Sequence, residues 1–129
     1  MPERPRFVEA FGYQDDLLGL PVADHDAAAR WYAHAFGMTE VERRDAPCRS
    51  VIMERDGVRF GFAENGGDPS QDGAAIHVSD LALIKQELRG DGVEIGAERV
   101  DERAGQRLDV FFVIAPDGLF YYFHQPINP

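Results

Sequence analysis

The sequence predicts an α+β domain made of two βαβββ modules, and three observations carry that prediction. A strand, acid, helix, glycine phrase occurs twice, with Val22-Ala23-Asp24 and Val78-Ser79-Asp80 standing 56 positions apart (22 to 78). Strand-like segments follow each phrase and turn at a hairpin signal, Asp56-Gly57 in the first half and Asp117-Gly118 in the second. At 129 residues and 44% hydrophobic content, the chain suffices for one domain with a core but not for two independent ones. The two modules must therefore share a fold.

Residues 1–16 form an arm in which Phe7, Val8, Phe11 and Tyr13 are too apolar for a free tail, so it is expected to pack on the body or on a neighbouring subunit. The remainder, 17–129, reads as a single domain with module one at 17–64. There Leu18, Leu20 and Val22 alternate with Gly19 and Pro21 as in a half-buried strand. Asp24 or Asp26 then offers a carboxylate to the free N–H groups of a helix start. Ala28, Trp31, Ala35 and Phe36 recur at helical spacing, and Gly37 sits where a left-handed C-cap belongs. Thr39 to Arg44, Cys48 to Arg55 and Val58 to Glu64 read as three strands, turning at Asp45-Ala46-Pro47 and Asp56-Gly57. Residues 65–72, rich in Gly, Pro, Asn and Asp, make an exposed connector. Module two, 73–126, repeats the order: a strand Gly73 to Val78, an Asp80 cap, a Leu81, Ile84, Leu88 stripe, and Gly90 or Gly92 as the stop. Strands at Val93 to Val100, Leu108 to Ile114 and Leu119 to Gln125 follow, with Asp101 to Gln106 as an inserted mobile loop near any site.

The net charge of −10, with Lys85 the single lysine, disfavours nucleic acid, because a phosphate backbone rewards clustered cations. An acidic field serves solubility and would also concentrate a cationic small molecule. No segment reaches the roughly 18 consecutive apolar residues of a membrane span, and residues 1–6 lack the apolar run of a signal peptide. A cytoplasmic location without membrane contact is expected. The lone Cys48 excludes an intrachain disulfide and has no His and acid partner nearby in sequence, so a structural role is expected.

Strand parity sorts side chains onto two faces. Leu18, Leu20, Val22, Ala74, Ile76 and Val78, with Phe60, Phe62, Tyr121 and Phe123, make apolar rows that cover the helices. The opposite face collects Leu17, Gly19 and Pro21; Arg59, Gly61 and Ala63; Gly73, Ala75 and His77; and Phe120, Tyr122 and His124. Small residues leave volume there, and an arginine, two imidazoles and aromatic rings supply anchors, which is the make-up of a ligand cavity. Arg59, Gly61, His77, Phe120, Tyr122 and His124 are the candidate ligand-binding residues, and His77 and His124 the candidate catalytic bases. Against this stands a plain solvated face, since strand glycines also mark bulges.

Leu20-Pro21-Val22-Ala23-Asp24, leading into Ala27-Ala28-Ala29-Arg30-Trp31-Tyr32 and closing on Phe36-Gly37-Met38, resembles the opening signature of the vicinal oxygen chelate superfamily. That group includes glyoxalase I, extradiol dioxygenases, fosfomycin-resistance enzymes and bleomycin-resistance proteins. Val78-Ser79-Asp80, Gly92-Val93-Glu94 and Ala115-Pro116-Asp117-Gly118 are similar to its second-module marks. The resemblance implies a curved mixed sheet around a cleft, helices on the convex side, and commonly a homodimer. It also implies four metal-ligand positions, usually two histidines and two glutamates, which fall here on Leu17, Gly61, Gly73 and Tyr122. Leucine and glycine offer no lone pair and a tyrosine alone cannot hold a divalent ion, so no metal and no other cofactor is expected. A displaced set of His77, His124 and Glu64 would need Glu64 to leave the opposite face. The expected function is a metal-independent binder of a small aromatic or cationic molecule, in the manner of antibiotic sequestration by bleomycin-resistance proteins. Tyr122 and Phe120 would stack on the ligand, while His77, His124 and Arg59 would orient it. The alternatives are a lyase, isomerase or dioxygenase-like enzyme using His77 or His124, and an accessory protein that meets its partner through the Phe7–Tyr13 arm.

Overall fold

The computed structural model describes residues 5–13 and 17–127, and its two helices and two mixed sheets make an α+β fold. Residues 1–4 and 14–16 of the arm, and the chain's last two, lie outside the described residues. The elements are β1 (Phe7–Gly12), β2 (Leu20–Pro21), α1 (His25–Ala35), β3 (Thr39–Arg44), β4 (Ser50–Arg55), β5 (Val58–Ala63), β6 (Gly73–Val78), α2 (Leu81–Gly90), β7 (Glu98–Arg103), β8 (Gln106–Ile114) and β9 (Phe120–Pro126). Strand order is β2-β5-β4-β3 in one sheet and β1-β6-β9-β8-β7 in the other. In each module the first strand runs parallel to the last, β2 beside β5 and β6 beside β9. Parallel neighbours need a crossover, and each helix begins one.

Asp24, in extended conformation, accepts the N–H groups of Asp26 and Ala27, so it caps α1 while Asp26 lies in the first turn. Asp80 does the same for Leu83 in α2. Gly92, at φ +83°, is the residue that turns the chain out of α2, and Gly90 remains helical. The arm packs on the body: β1 lies antiparallel along β6, and Phe7 is buried in the core.

Three expectations need correction. Leu18 is not in the core; it is 51% exposed, because the chain turns over β5 with the Gly61 N–H donating to the Leu17 carbonyl (2.9 Å), and Leu17 packs inward. The strand expected at Val93 begins only at Glu98; Val93 and Ile95 alternate because they seal the core edge beyond α2. Asp101 to Gln106 is not an inserted loop. It closes a β7–β8 hairpin, with Glu98 to Arg103 paired to Phe111 to Gln106 around Ala104 (φ +51°) and Gly105 (φ +76°).

The apolar faces of both sheets meet in one core with the helices. Tyr32 of α1 stacks on Phe62 at 4.1 Å, Phe60 stacks on Tyr121, and Phe36 meets Tyr121 and Phe123 edge-on. The Tyr121 hydroxyl donates to Tyr32 (2.6 Å), whose hydroxyl donates to Asp117 (3.0 Å), so both buried phenols are satisfied. Arg55, 6% exposed, ties four segments: it donates to the Phe36 carbonyl (2.8 Å), the Pro5 carbonyl (2.9 Å) and Glu87 of α2 (2.5 Å), and lies over the Phe7 ring. No helix among the described residues is long and apolar enough to cross a membrane.

Replacing Arg55 by Met removes the guanidinium's hydrogen bonds to two carbonyls and its ion pair with Glu87; urea unfolding is expected to show a loss of about 3 kcal/mol. Burial raises the Tyr32 and Tyr121 phenols well above 10.0, so above that pH the unfolded chain releases protons that the folded chain retains. The stability these two phenols contribute is therefore complete below pH 10 and falls as pH rises further; their phenolate absorbance should appear together with loss of circular dichroism, and not before it.

Candidate functional site

The outer face of the five-stranded sheet is built in registered rows. Glu9, His77, His124, Val110 and Arg99 stand side by side across all five strands. The next row is Phe11, Ala75, Tyr122 and Phe112, and the row beyond it Gly73, Phe120 and Ile114. Because Ala75 is short, its bulky neighbours leave a depression above it. The result is a cavity of about 590 Å³ walled by Phe11, Tyr13, Phe112, Tyr122, His124 and Arg99. A second cavity of about 490 Å³ shares Arg99 and Phe112 and adds Ile114 and Phe120.

Ring contacts tie this face together. His77 and His124 stack at 5.4 Å and 13°, Tyr122 lies 5.5 Å from His124, and Phe112 meets both Tyr122 (5.3 Å) and Phe120 (5.0 Å). The Tyr122 hydroxyl donates to Asp101 (2.7 Å). Asp101 also receives Arg99 Nε at 2.7 Å, and the guanidinium lies 4.9 Å from the Phe112 ring centre. Glu9 approaches His77 Nδ1 to 3.8 Å from the side away from His124.

Of the residues singled out by sequence, His77, Tyr122 and His124 come together here, with Phe120 in the adjoining cavity. Arg59 and Gly61 belong to the other sheet: Arg59 is exposed and pairs with Glu54 (3.1 Å) across the β4–β5 ladder. Arg99 and Asp101 went unread in the sequence. Their two-residue spacing is a strand signal, hidden because Val93 and Ile95 pulled the expected strand forward and turned Asp101 into loop.

The four positions that the sequence resemblance marks for a metal do not fit one. A Cβ on Gly61 would stand 2.0 Å from the Leu18 carbonyl oxygen, and one on Gly73 1.7 Å from that of Phe120. Neither position has room for any side chain, and the Tyr122 hydroxyl is engaged by Asp101. The displaced set also fails, because Glu64 lies at the start of α1. It accepts both the backbone N–H and Nδ1 of His25, the latter at 2.5 Å, and this hydrogen bonding holds the carboxyl below its ordinary range. Asp24, His25 and Glu64 do place three potential ligand atoms within 4.8 Å. Asp24 is spent on the helix cap, however, and the Arg43 guanidinium lies 3.5 Å from His25 Nε2, so the cluster serves to lock α1 onto the end of β5.

A sequence model of the Glyoxalase/Bleomycin resistance protein/Dioxygenase superfamily matches residues 15–120. No curated protein matches the chain. Among solved structures, a protein from the mobile metagenome of V. Pseudocholerae is similar with a TM-score of 0.70 at 18% identity, over 88% of this chain and 94% of that one. TnmS3, an antibiotic binding protein from Streptomyces sp. CB03234, gives 0.65 at 16% identity, over 84% and 92%. A bleomycin-binding protein complexed with bleomycin gives 0.62 at 23% identity, over 86% and 95%. At these identities the likeness is one of fold.

Gly73→Ala is expected to cost about 3 kcal/mol in chemical denaturation, because the methyl group must displace backbone. Gly61→His, which places an imidazole at a marked metal position, should lower stability likewise and bind no zinc by equilibrium dialysis.

Proposed function

Because the chain belongs to the Glyoxalase/Bleomycin resistance protein/Dioxygenase superfamily, we propose that it is a metal-independent small-molecule-binding protein that holds a planar aromatic ligand over the five-stranded sheet. The observation that carries this reading is the cavity of about 590 Å³ lined by Phe11, Tyr13, Phe112 and Tyr122 together with the short Ala75. Pockets of this size and lining bind by apolar burial, with a few polar groups to fix orientation. Stacking on Tyr122 and Phe112 supplies the burial, and His124 and Arg99 supply direction. The crowding at Gly61 and Gly73 supports independence from metal, since it removes the superfamily's usual ligand side chains. Antibiotic sequestration is the biological role that fits a binder of this kind, and it draws support from the two antibiotic-binding proteins of similar fold. The reading includes a homodimer: Phe11, Tyr13 and Ile114 around the two cavities are 60%, 42% and 67% exposed, apolar surface that a second copy would cover.

One observation favours a second reading, the stacked His77–His124 pair beside the cavity, which could supply a general base to an enzyme. Turnover surviving in the His77→Ala, His124→Ala double variant would remove it.

The binder is tested by a thermal-shift screen of the full chain with bleomycin, a panel of planar aromatic compounds, and zinc, nickel, manganese and iron salts. A true ligand at 100 times its Kd is expected to add about 2.7 kcal/mol. Tyr122→Ala should abolish that shift. Stabilisation by a metal salt alone, or by no aromatic compound at all, would sink the reading.

A further inference from the structure

We propose that this cavity selects an anionic planar ligand, an aromatic body bearing a carboxylate or similar oxyanion, and that Arg99 reads the charge. The inference rests on the proposed ligand site and adds the class of molecule it takes. Although the chain carries a net charge of −10, none of the described residues lining the cavity is acidic. Among the described residues its ionisable lining consists of Arg99, His124 and the phenols of Tyr13 and Tyr122. Charges beyond about 8 Å are largely screened at physiological salt, so the lining and the Asp101 carboxylate paired with Arg99, and not the net charge, decide what binds.

Arg99 is placed for this task. It lines the two cavities described above and a third of about 390 Å³, standing at their junction. Asp101, which does not line the cavity, holds Arg99 through Nε (2.7 Å) and Nη2 (3.2 Å). A guanidinium carries five N–H donors, so three stay available, and the side chain is 56% exposed. The grip on Asp101 and the stacking on Phe112 fix the orientation of the guanidinium before any ligand arrives, which lowers the ordering cost of binding. A cation in the cavity of about 590 Å³ would face Arg99 with no acidic partner among the described lining residues, carboxylates such as Glu94, Glu98 and Asp109 lining the other two cavities. Arg99 already lies over Phe112, and Glu9 sits beyond His77 on the side away from His124. An oxyanion beside Arg99 instead gains charge-assisted hydrogen bonds while its ring stacks on Tyr122.

The test uses three probes of matched shape, naphthoate, naphthylmethylammonium and naphthylmethanol, titrated calorimetrically into the full chain. The His77 and His124 ring signals, followed by NMR, report whether binding occurs at this face. Naphthoate is expected to bind about tenfold or more tightly than the ammonium probe. Arg99→Gln should reduce that preference to about threefold or less, read as the ratio of naphthoate to naphthylmethanol affinity in the same variant; its exposed position makes the variant tolerable to the fold. Equal or tighter binding of the ammonium probe, with the histidine signals moving, would overturn the anion selectivity while leaving the binder intact. A preference that persists in Arg99→Gln would overturn the role of Arg99. If no probe moves the histidine signals at millimolar concentration, this inference and the ligand site fall together.

Discussion

Two phenols and a carboxylate join the halves of this molecule. Tyr32 belongs to the first module, Tyr121 and Asp117 to the second, and the chain of hydroxyls between them runs through the centre of the aromatic core. Burial raises both phenols and the Asp117 carboxyl above their ordinary ranges, so the network stays protonated at the phenols and works as hydrogen-bond donors to a buried acceptor. Around it Phe36, Phe60, Phe62 and Phe123 pack at ring distances, and Arg55 clamps the periphery from the N-terminal segment to α2. Each module contributes only half of this interior. Neither could bury its apolar face alone.

That arrangement decides where chemistry can occur. With both inner faces committed to a common core, the outer faces are what remains for ligands. They are not equivalent: the four-stranded sheet carries the Glu54–Arg59 ion pair and has the Leu17–Leu18 turn laid over Gly61. The five-stranded sheet has Ala75 as a low point between aromatic rows, and β1 and the β7–β8 hairpin extend it on both sides. The arm thus contributes twice, placing Phe7 in the core and Phe11 and Tyr13 at the cavity wall.

The glycines at 61 and 73 connect fold and function most directly. Both lie on a module's outer face, and both are glycine because a neighbouring backbone occupies the place of their side chain. A residue type that reads in the sequence as room for a ligand is, at these two positions, the absence of room. Volume comes instead at Ala75, whose short side chain stands in a row between Phe11 and Tyr122.

Much of this was legible in the sequence. The modular repeat, both Asp caps, the Asp56-Gly57 turn and the outward parity of His77, Phe120, Tyr122 and His124 follow from local rules, since caps, turns and two-residue alternation are decided within a few residues of chain. Leu18 and the Val93 segment were misread because an apolar residue looks the same in a strand as in a turn that packs on a neighbour, and Asp101 fell into a loop because the expected strand started too early. Arg59 and Arg99 differ more deeply: one reads as an anchor and the other was not singled out, and their surroundings depend on which sheet each strand joins. Local sequence determined the elements and the faces of their residues. Only the tertiary structure decided that the two modules meet through those apolar faces, which separates Arg59 from the histidines and brings Arg99 beside them, because strand partnership is a contact between residues far apart in the chain.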